Sequence, residues 1–269
     1  MKRKNILLTA LTCFSLMLSA QKPVVFVAPF EYAGKDVRQL LPSFRAAVLD
    51  GVTWSKRVDI IDSSTDSTQT SILNAAKQAN ANFIFKCKMD NHNASDAVNL
   101  IKAIENIATN KTQSMTDHLS YNVELIRVSD GVSIDVSKLS TEGYSYSDKA
   151  LNNSTEYALG AVQRQIRRYF EKLFPVNAKI AEIAEMKKDK LKKVYITVGS
   201  NAPIRKDLYF NVYIEKKVAG ETIRDLIGKV RIDEIKGENI SLCTVKKGAK
   251  EIKDALEQES DLALVSTVD

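Results

Sequence analysis

Histidine is nearly absent, with two residues in 269, and cysteine contributes only three. That scarcity narrows the chemistry at once, because zinc and other transition metals draw most of their protein ligands from these residue types. The one grouping with ligand character is His92, with Asp90 and Asp96 close by in the run DNHNASD. A polar surface loop accounts for the same residues, and no metal site is assigned there. His118 stands where a strand begins, and packs or caps. Cys87 and Cys243 each lie inside an apolar or alternating run, far apart in sequence, so they read as buried thiols packing as small hydrophobes. Two such cysteines make no disulfide framework, and a catalytic thiol would also need a positioned histidine. Glycine is sparse, with ten residues, and never arranged as G-x-G-x-x-G, G-x-x-x-x-G-K-S/T or G-x-S-x-G. That excludes the usual phosphate-cradling loops and the nucleophile elbow. Glu182 and Glu185 lie three apart, but share a face only if their segment is helical. No catalytic, cofactor-binding or metal-binding residue is assigned, and no cofactor is expected.

Long apolar runs are also missing, with one exception at the N-terminus. Lys2, Arg3 and Lys4 precede an apolar stretch of thirteen residues, Ile6 to Leu18, and Ser19-Ala20 then offers a small residue for cleavage. This is the pattern of a secretory signal peptide over residues 1–20, too short to span a bilayer comfortably. Cys13 sits in the middle of the run, not after it, so it lacks the context of a lipid-anchor cysteine. Without Lys2, Arg3 and Lys4 the net charge falls from +6 to +3. Much of the basic character therefore belongs to the export signal, and no nucleic-acid partner is expected.

The mature chain centres on Tyr121 to Val136. Val123, Leu125 and Arg127 fall on one strand face and Glu124, Ile126 and Val128 on the other, as an interior strand covered on both sides requires. Ser129-Asp130-Gly131 supplies turn chemistry, and Val132, Ile134 and Val136 resume the alternation, giving a hairpin whose second arm runs to about Tyr146. Upstream, Lys22 to Phe30, Val58 to Ile61 and Ala81 to Met89 read as strands. Between them lie a helix through Leu40, Phe44 and Val48, with Asp36 as candidate N-cap and Pro42 interrupting it, and a second helix over Thr65 to Asn80. A further amphipathic helix is predicted over Ala97 to Ala108. The longest spans Asp148 to Phe174, with Tyr157, Ala161, Ile166, Phe170 and Phe174 inward and Arg164, Arg167 and Lys172 toward solvent. Pro175 closes it.

Beyond Pro175 the pattern shifts to short alternating runs: Lys193 to Val198, Leu208 to Ile214, Leu226 to Ile235, Ile240 to Val245 and Leu262 to Val265. Gly199, Gly220, Gly237 and Gly248 punctuate them, and Lys250 to Glu257 forms one short helix. Ala178 to Val194 is ambiguous, since propensity favours helix while lysines crowd around Lys187–Lys193. Those lysines fit a solvated hairpin tip, or a contact with acidic wall polymer or anionic lipid. Arg164, Arg167 and Arg168 fit a solvated helix face or a basic stripe. The expected architecture is α/β: a layered α/β sandwich over residues 21–175, followed by a small β-barrel-like domain over 176–269.

The strand from Val24 to Phe30, the ANFIFKCKM strand and YNVELIRVSDGVSID followed by a long helix resemble the CsgG family, which includes curli secretion channels and relatives of the activator LpoB. The tail, from KKVYITVGS through LYFNVYIEK and LIGKVRIDEIKGENISLCTVKKG, is similar to the β-barrel domain of FlgT-like proteins, although Asn201-Ala202-Pro203 stands where a glycine is usual. The resemblance implies an exported, periplasmic partner of outer-membrane assembly or peptidoglycan synthesis machinery, with oligomerisation open and no catalysis. A pore subunit is the alternative it raises. Pore hairpins need strands of about ten alternating residues. Asp90 to Thr116 carries Asp96, Lys102, Glu105 and Lys111 at helical spacing, and Gly143 to Thr155 is short and polar, so neither fits. An envelope hydrolase using Cys87, Glu124 or Glu142 is the third class considered.

Overall fold

The computed structural model describes residues 22–32, 40–63, 69–90, 119–141 and 155–268. The predicted export signal, the helix at 97–108 and almost all of 143–155 lie outside them, as do Asp36, His92, Asp96, His118 and Glu142.

The first half builds one mixed sheet. Its strands are β1 (Val24–Val27), β2 (Glu31–Tyr32), β3 (Asp59–Asp62), β4 (Phe83–Met89), β5 (Ser120–Arg127) and β6 (Ser133–Ser140). They run in the order β3-β1-β4-β5-β6, with β2 alongside β4. β1 pairs parallel with β3 and β4, whereas β4–β5 and β5–β6 are antiparallel. Among the described residues three helices accompany it: α1 (Leu41–Ser55), α2 (Gln69–Gln78) and α3 (Thr155–Leu173). The alternation within each strand divides the core. Val25, Val27, Phe85, Cys87, Tyr121, Val123 and Leu125 pack against Phe44, Val48 and Val52 of α1 and Ile166 and Phe170 of α3. Phe26, Ala28, Ile84 and Val128 pack on the other face with Ile72 and Ala76 of α2. Period-two placement thus lets β1 and β4 contribute to both cores, while Lys86, Lys88, Asn122 and Glu124 leave part of the second face of β4 and β5 open.

Pro42 does not interrupt a helix. It occupies the first turn of α1, where a missing N–H leaves no hydrogen bond unmade. The turn after β5 forms as its residues dictate: Asp130 accepts hydrogen bonds from the Val132 N–H (3.1 Å) and Arg127 Nη1 (2.7 Å), and Gly131 takes φ +71°. Pairing between β5 and β6 runs to Ser140.

The second half is a seven-stranded sheet curled into a half-barrel. Its strands are β7 (Asn177–Ala178), β8 (Ile180–Lys187), β9 (Lys190–Ile196), β10 (Tyr209–Val218), β11 (Glu221–Ile235), β12 (Ser241–Lys247) and β13 (Leu262–Thr267). The order is β7-β13-β10-β11-β12-β9-β8. Because β7 and β8 are separated only by Lys179, the two ends of this order belong to one stretch of chain, which curls the sheet back on itself. The helix left open over Ala178 to Val194 is therefore a hairpin, with Lys188 and Asp189 both at positive φ (48° and 62°) in its turn. Cross-strand pairing with β9 overrides local propensity there. Helix α4 (Ala249–Glu257) covers one side of the interior with Ile252 and Ala255, above Leu191, Val194, Phe210, Val230, Ile232, Cys243 and Leu264. Gly248 precedes it at φ +74°, where a Cβ would lie 1.9 Å from the Ile227 carbonyl oxygen.

Candidate functional site

Among the described residues, those considered for catalysis do not converge: Cys87 and Glu124 lie in different surroundings, and Glu142 is outside the described residues. Cys87 is buried on β4, and burial pushes its thiol well above the usual range. Cys243 is buried on β12; burial first, then Asp233, push it up to about 12. Neither is a thiolate near neutral pH, and both are free. Glu124 faces Lys86 across β4–β5 at 4.0 Å, and Glu185 faces Lys193 at 3.8 Å. With Glu182 and Glu185 on a strand that pairs irregularly, the helical face they would share does not exist. Asp90 accepts a hydrogen bond from Asn122 Nδ2 (2.7 Å) and lies 3.8 Å from Lys138 Nζ. Among the described residues no group of three or more His, Cys, Asp or Glu side chains could hold a metal ion. The lysine-rich segment is a hairpin tip, and its Asp189 accepts a hydrogen bond from Lys253 Nζ of α4 (2.6 Å).

Two places gather side chains in ways the core does not require. The first is the outer edge of the first sheet. β6 ends the described strand order, with β5 as its one strand neighbour there. Leu139 points to the α1/α3 side and packs against that core. Val132, Ile134 and Val136 lie open instead, with Val136 70% exposed. Beside Val136, a groove of about 250 Å³ runs over the face of β4 and β5, lined by Pro29, Glu31, Lys86, Lys88, Asn122 and Glu124. An apolar rim thus borders a floor carrying both charge signs.

The second is the seam between the two sheets. α1 ends at Ser55; Lys56 takes a left-handed conformation (φ +57°), and its N–H donates to the Thr53 carbonyl (3.1 Å). The Ser55 hydroxyl donates to the Val52 carbonyl (2.6 Å) and accepts from the Arg57 N–H (3.2 Å). This turn carries Arg57 inward until it is 4% exposed. Glu171 of α3, 5% exposed, is its electrostatic partner. Arg167, one helical turn before, lies 3.7 Å from Glu171, and Arg205, from the loop before β10, lies 3.9 Å away. Arg167 does not face solvent as its helical position suggested, for its guanidinium stacks over the Trp54 ring at 4.2 Å. Two small pockets of about 130 Å³ each adjoin the group, and Glu171, Arg205 and Leu208 line both.

Burial pulls the Arg57 guanidinium down to about 10; Glu171 opposes that shift and Arg205 adds to it. It remains a cation at neutral pH. Burial also lowers Arg167, against the pull of Glu171 and with Arg205, Arg168 and Arg164. Three cations thus act on one carboxylate, and the Ser55 hydroxyl beside them donates to Val52. Only the i, i+4 spacing of Arg167 and Glu171 hinted at this group in the sequence. Trp54, Arg57 and Arg205 gave no local signal.

No protein-family model matches the chain, and no curated protein matches it. Solved structures do show likenesses. The PelC dodecamer from Paraburkholderia phytofirmans is 14% identical, over 53% of this chain and 88% of that one, with a TM-score of 0.31. The LpoB C-terminal domain from Salmonella enterica is 11% identical, over 45% and 82%, with a TM-score of 0.27. Lipoprotein GNA1162 from Neisseria meningitidis is 12% identical, over 53% and 95%, with a TM-score of 0.28. Each covers about half of this chain, and each likeness is loose.

Proposed function

We propose that this chain is an exported, non-catalytic binding protein of the bacterial cell envelope, akin to the CsgG and LpoB group. Its α/β domain, residues 21–175, engages a protein partner in outer-membrane assembly or peptidoglycan synthesis, and its barrel-like domain, 176–269, is joined at Pro175. The observation that carries this reading is the β6 edge, where Val132, Ile134 and Val136 remain exposed beside a groove of mixed charge. An exposed edge with apolar side chains accepts an extended segment by strand addition: backbone hydrogen bonds supply affinity, and alternate side chains supply selectivity. The signal-like N-terminus supports the periplasmic setting.

The test is retention of envelope proteins by immobilised mature chain, comparing wild type with Val136→Lys. Val136 is open to solvent, so the lysine leaves folding nearly unchanged. The reading predicts a protein retained by wild type and lost from the variant. An identical retained set for both would remove the β6 edge from the account.

A further inference from the structure

The seam cluster asks for a ligand that the interaction reading does not supply. Arg57 is almost wholly buried, yet its Nε and Nη1 have no hydrogen-bond partner, and neither do Arg167 Nε nor Glu171 Oε2. Arg57 forms no ion pair within 4 Å among the described residues, and Arg167 and Arg205 approach Glu171 only at 3.7 and 3.9 Å, beyond hydrogen-bond distance. Buried guanidinium N–H groups left unmade are costly, and a protein that keeps them near a pocket has positive charge to spare. Against the single charge of Glu171 stand Arg57, Arg167 and Arg205.

We propose that the seam pocket bordered by Trp54, Arg57, Glu171 and Arg205 binds an oxyanion of the phosphate class. Guanidinium forks match a phosphate in geometry as well as charge; Arg57 and Arg205 line this pocket from separate elements, and Arg167 lines the small pocket next to it. The pocket, about 130 Å³, suits a group of this size rather than a nucleotide. The Glu171 carboxylate repels part of any anion's charge, and its role is to hold Arg167 and Arg205 in place. Because Arg205 comes from the second half of the chain and Arg57, Arg167 and Glu171 from the first, the bound anion ties the two halves together. The phosphate is either free or the terminal group of a lipid.

Trp54 is the only tryptophan in the chain and lines the pocket, so its emission reports the site directly. The full mature protein is titrated with inorganic phosphate at fixed ionic strength, with sodium chloride as the matched control. In a parallel arm it meets phosphatidylcholine vesicles with and without phosphatidic acid. The proposal expects a saturable change in Trp54 emission with phosphate, or with phosphatidic acid vesicles alone if the source is lipid. In Arg205→Gln the response weakens at least about tenfold, as loss of one charge-assisted contact implies. Arg205 is half exposed in a loop, so this variant folds. Arg224→Gln, at a half-exposed arginine on the β10–β11 hairpin, removes the same charge far from the pocket and keeps the response. No saturable change in either arm, an equal change with chloride, or an undiminished response in Arg205→Gln overturns the proposal. None of these outcomes bears on Val136, so the two readings fail separately.

Discussion

Gly51 tests the packing on which the seam rests. It lies on the face of α1 that meets α3, and a Cβ built there falls 2.6 Å from the Gln163 carbonyl oxygen and 2.9 Å from Ile166 Cβ. In an exposed helix, Gly→Ala stabilises by about 1 kcal/mol through chain entropy and propensity. Here the obstacle is backbone, which cannot rotate aside. Reaching an ordinary 3.4 Å contact requires a retreat of about 0.8 Å, which moves α3 bodily away from Phe44, Val48 and Val52. Overpacking of this kind costs about 1–3 kcal/mol, and parting closely packed atoms forfeits dispersion across the interface as well. Set against the gain of about 1 kcal/mol, the overpacking leaves a net cost of up to about 2 kcal/mol, and the lost dispersion keeps Gly51→Ala on the destabilised side. Gly160 on α3 supplies the internal control, since a Cβ there meets only Arg164 Nη1, at 3.5 Å. Gly160→Ala should raise stability by up to about 1 kcal/mol. Urea unfolding followed by circular dichroism reads both, as midpoint shifts at unchanged slope. A midpoint for Gly51→Ala at or above wild type would refute the close approach of α1 and α3.

Two further outcomes follow from buried and paired groups. Cys87 and Cys243 should resist an aromatic disulfide reagent at pH 8 in the folded protein and react fully in denaturant; reaction at the rate of a free thiol would contradict their burial. Asp233 accepts hydrogen bonds from the Thr244 hydroxyl and Arg231 Nη2; burial raises its pKa, but these bonds and the charges of Arg231 and Lys193 outweigh it and leave the carboxyl below its ordinary value. A depressed folded value stabilises above the unfolded value of 3.8 and is lost as pH falls through the folded one. Asp233→Asn should therefore cost about 1 kcal/mol or less at pH 7, given solvent screening, with the gap closing as pH drops below 3.8; a gap that persists in acid would reject the pairing.

The parts of the fold visible in the sequence are those set by local periodicity. The short apolar run containing Val24 to Val27, the strand at Phe83 to Met89 and the two-faced run Ser120 to Arg127 placed strands of the first sheet, and Asp130-Gly131 placed its hairpin turn. Period alone does not say which face of a strand meets water, so the exposure of Ile134 and Val136 was not legible. The hairpin of β8 and β9 was half visible: the lysine run fitted a solvated hairpin tip, while its first arm stayed ambiguous. Alanine, glutamate and lysine favour helix locally, and only pairing with β9 and, through β7, with the distant β13 makes Ile180–Lys187 a strand. The seam was the least visible of all. Arg57 and Arg205 are ordinary arginines until a left-handed Lys56 and the return of the chain after β9 bring them to Glu171.

The central claim is that the chain acts by holding a protein along β6. Site-specific photo-crosslinking in intact cells, with a benzophenone side chain at Val136 or at Tyr213 in the barrel, tests it most directly. The account predicts a discrete adduct to one envelope protein from position 136 and none to that protein from 213. No adduct at 136, or the same adduct from both positions, would contradict it.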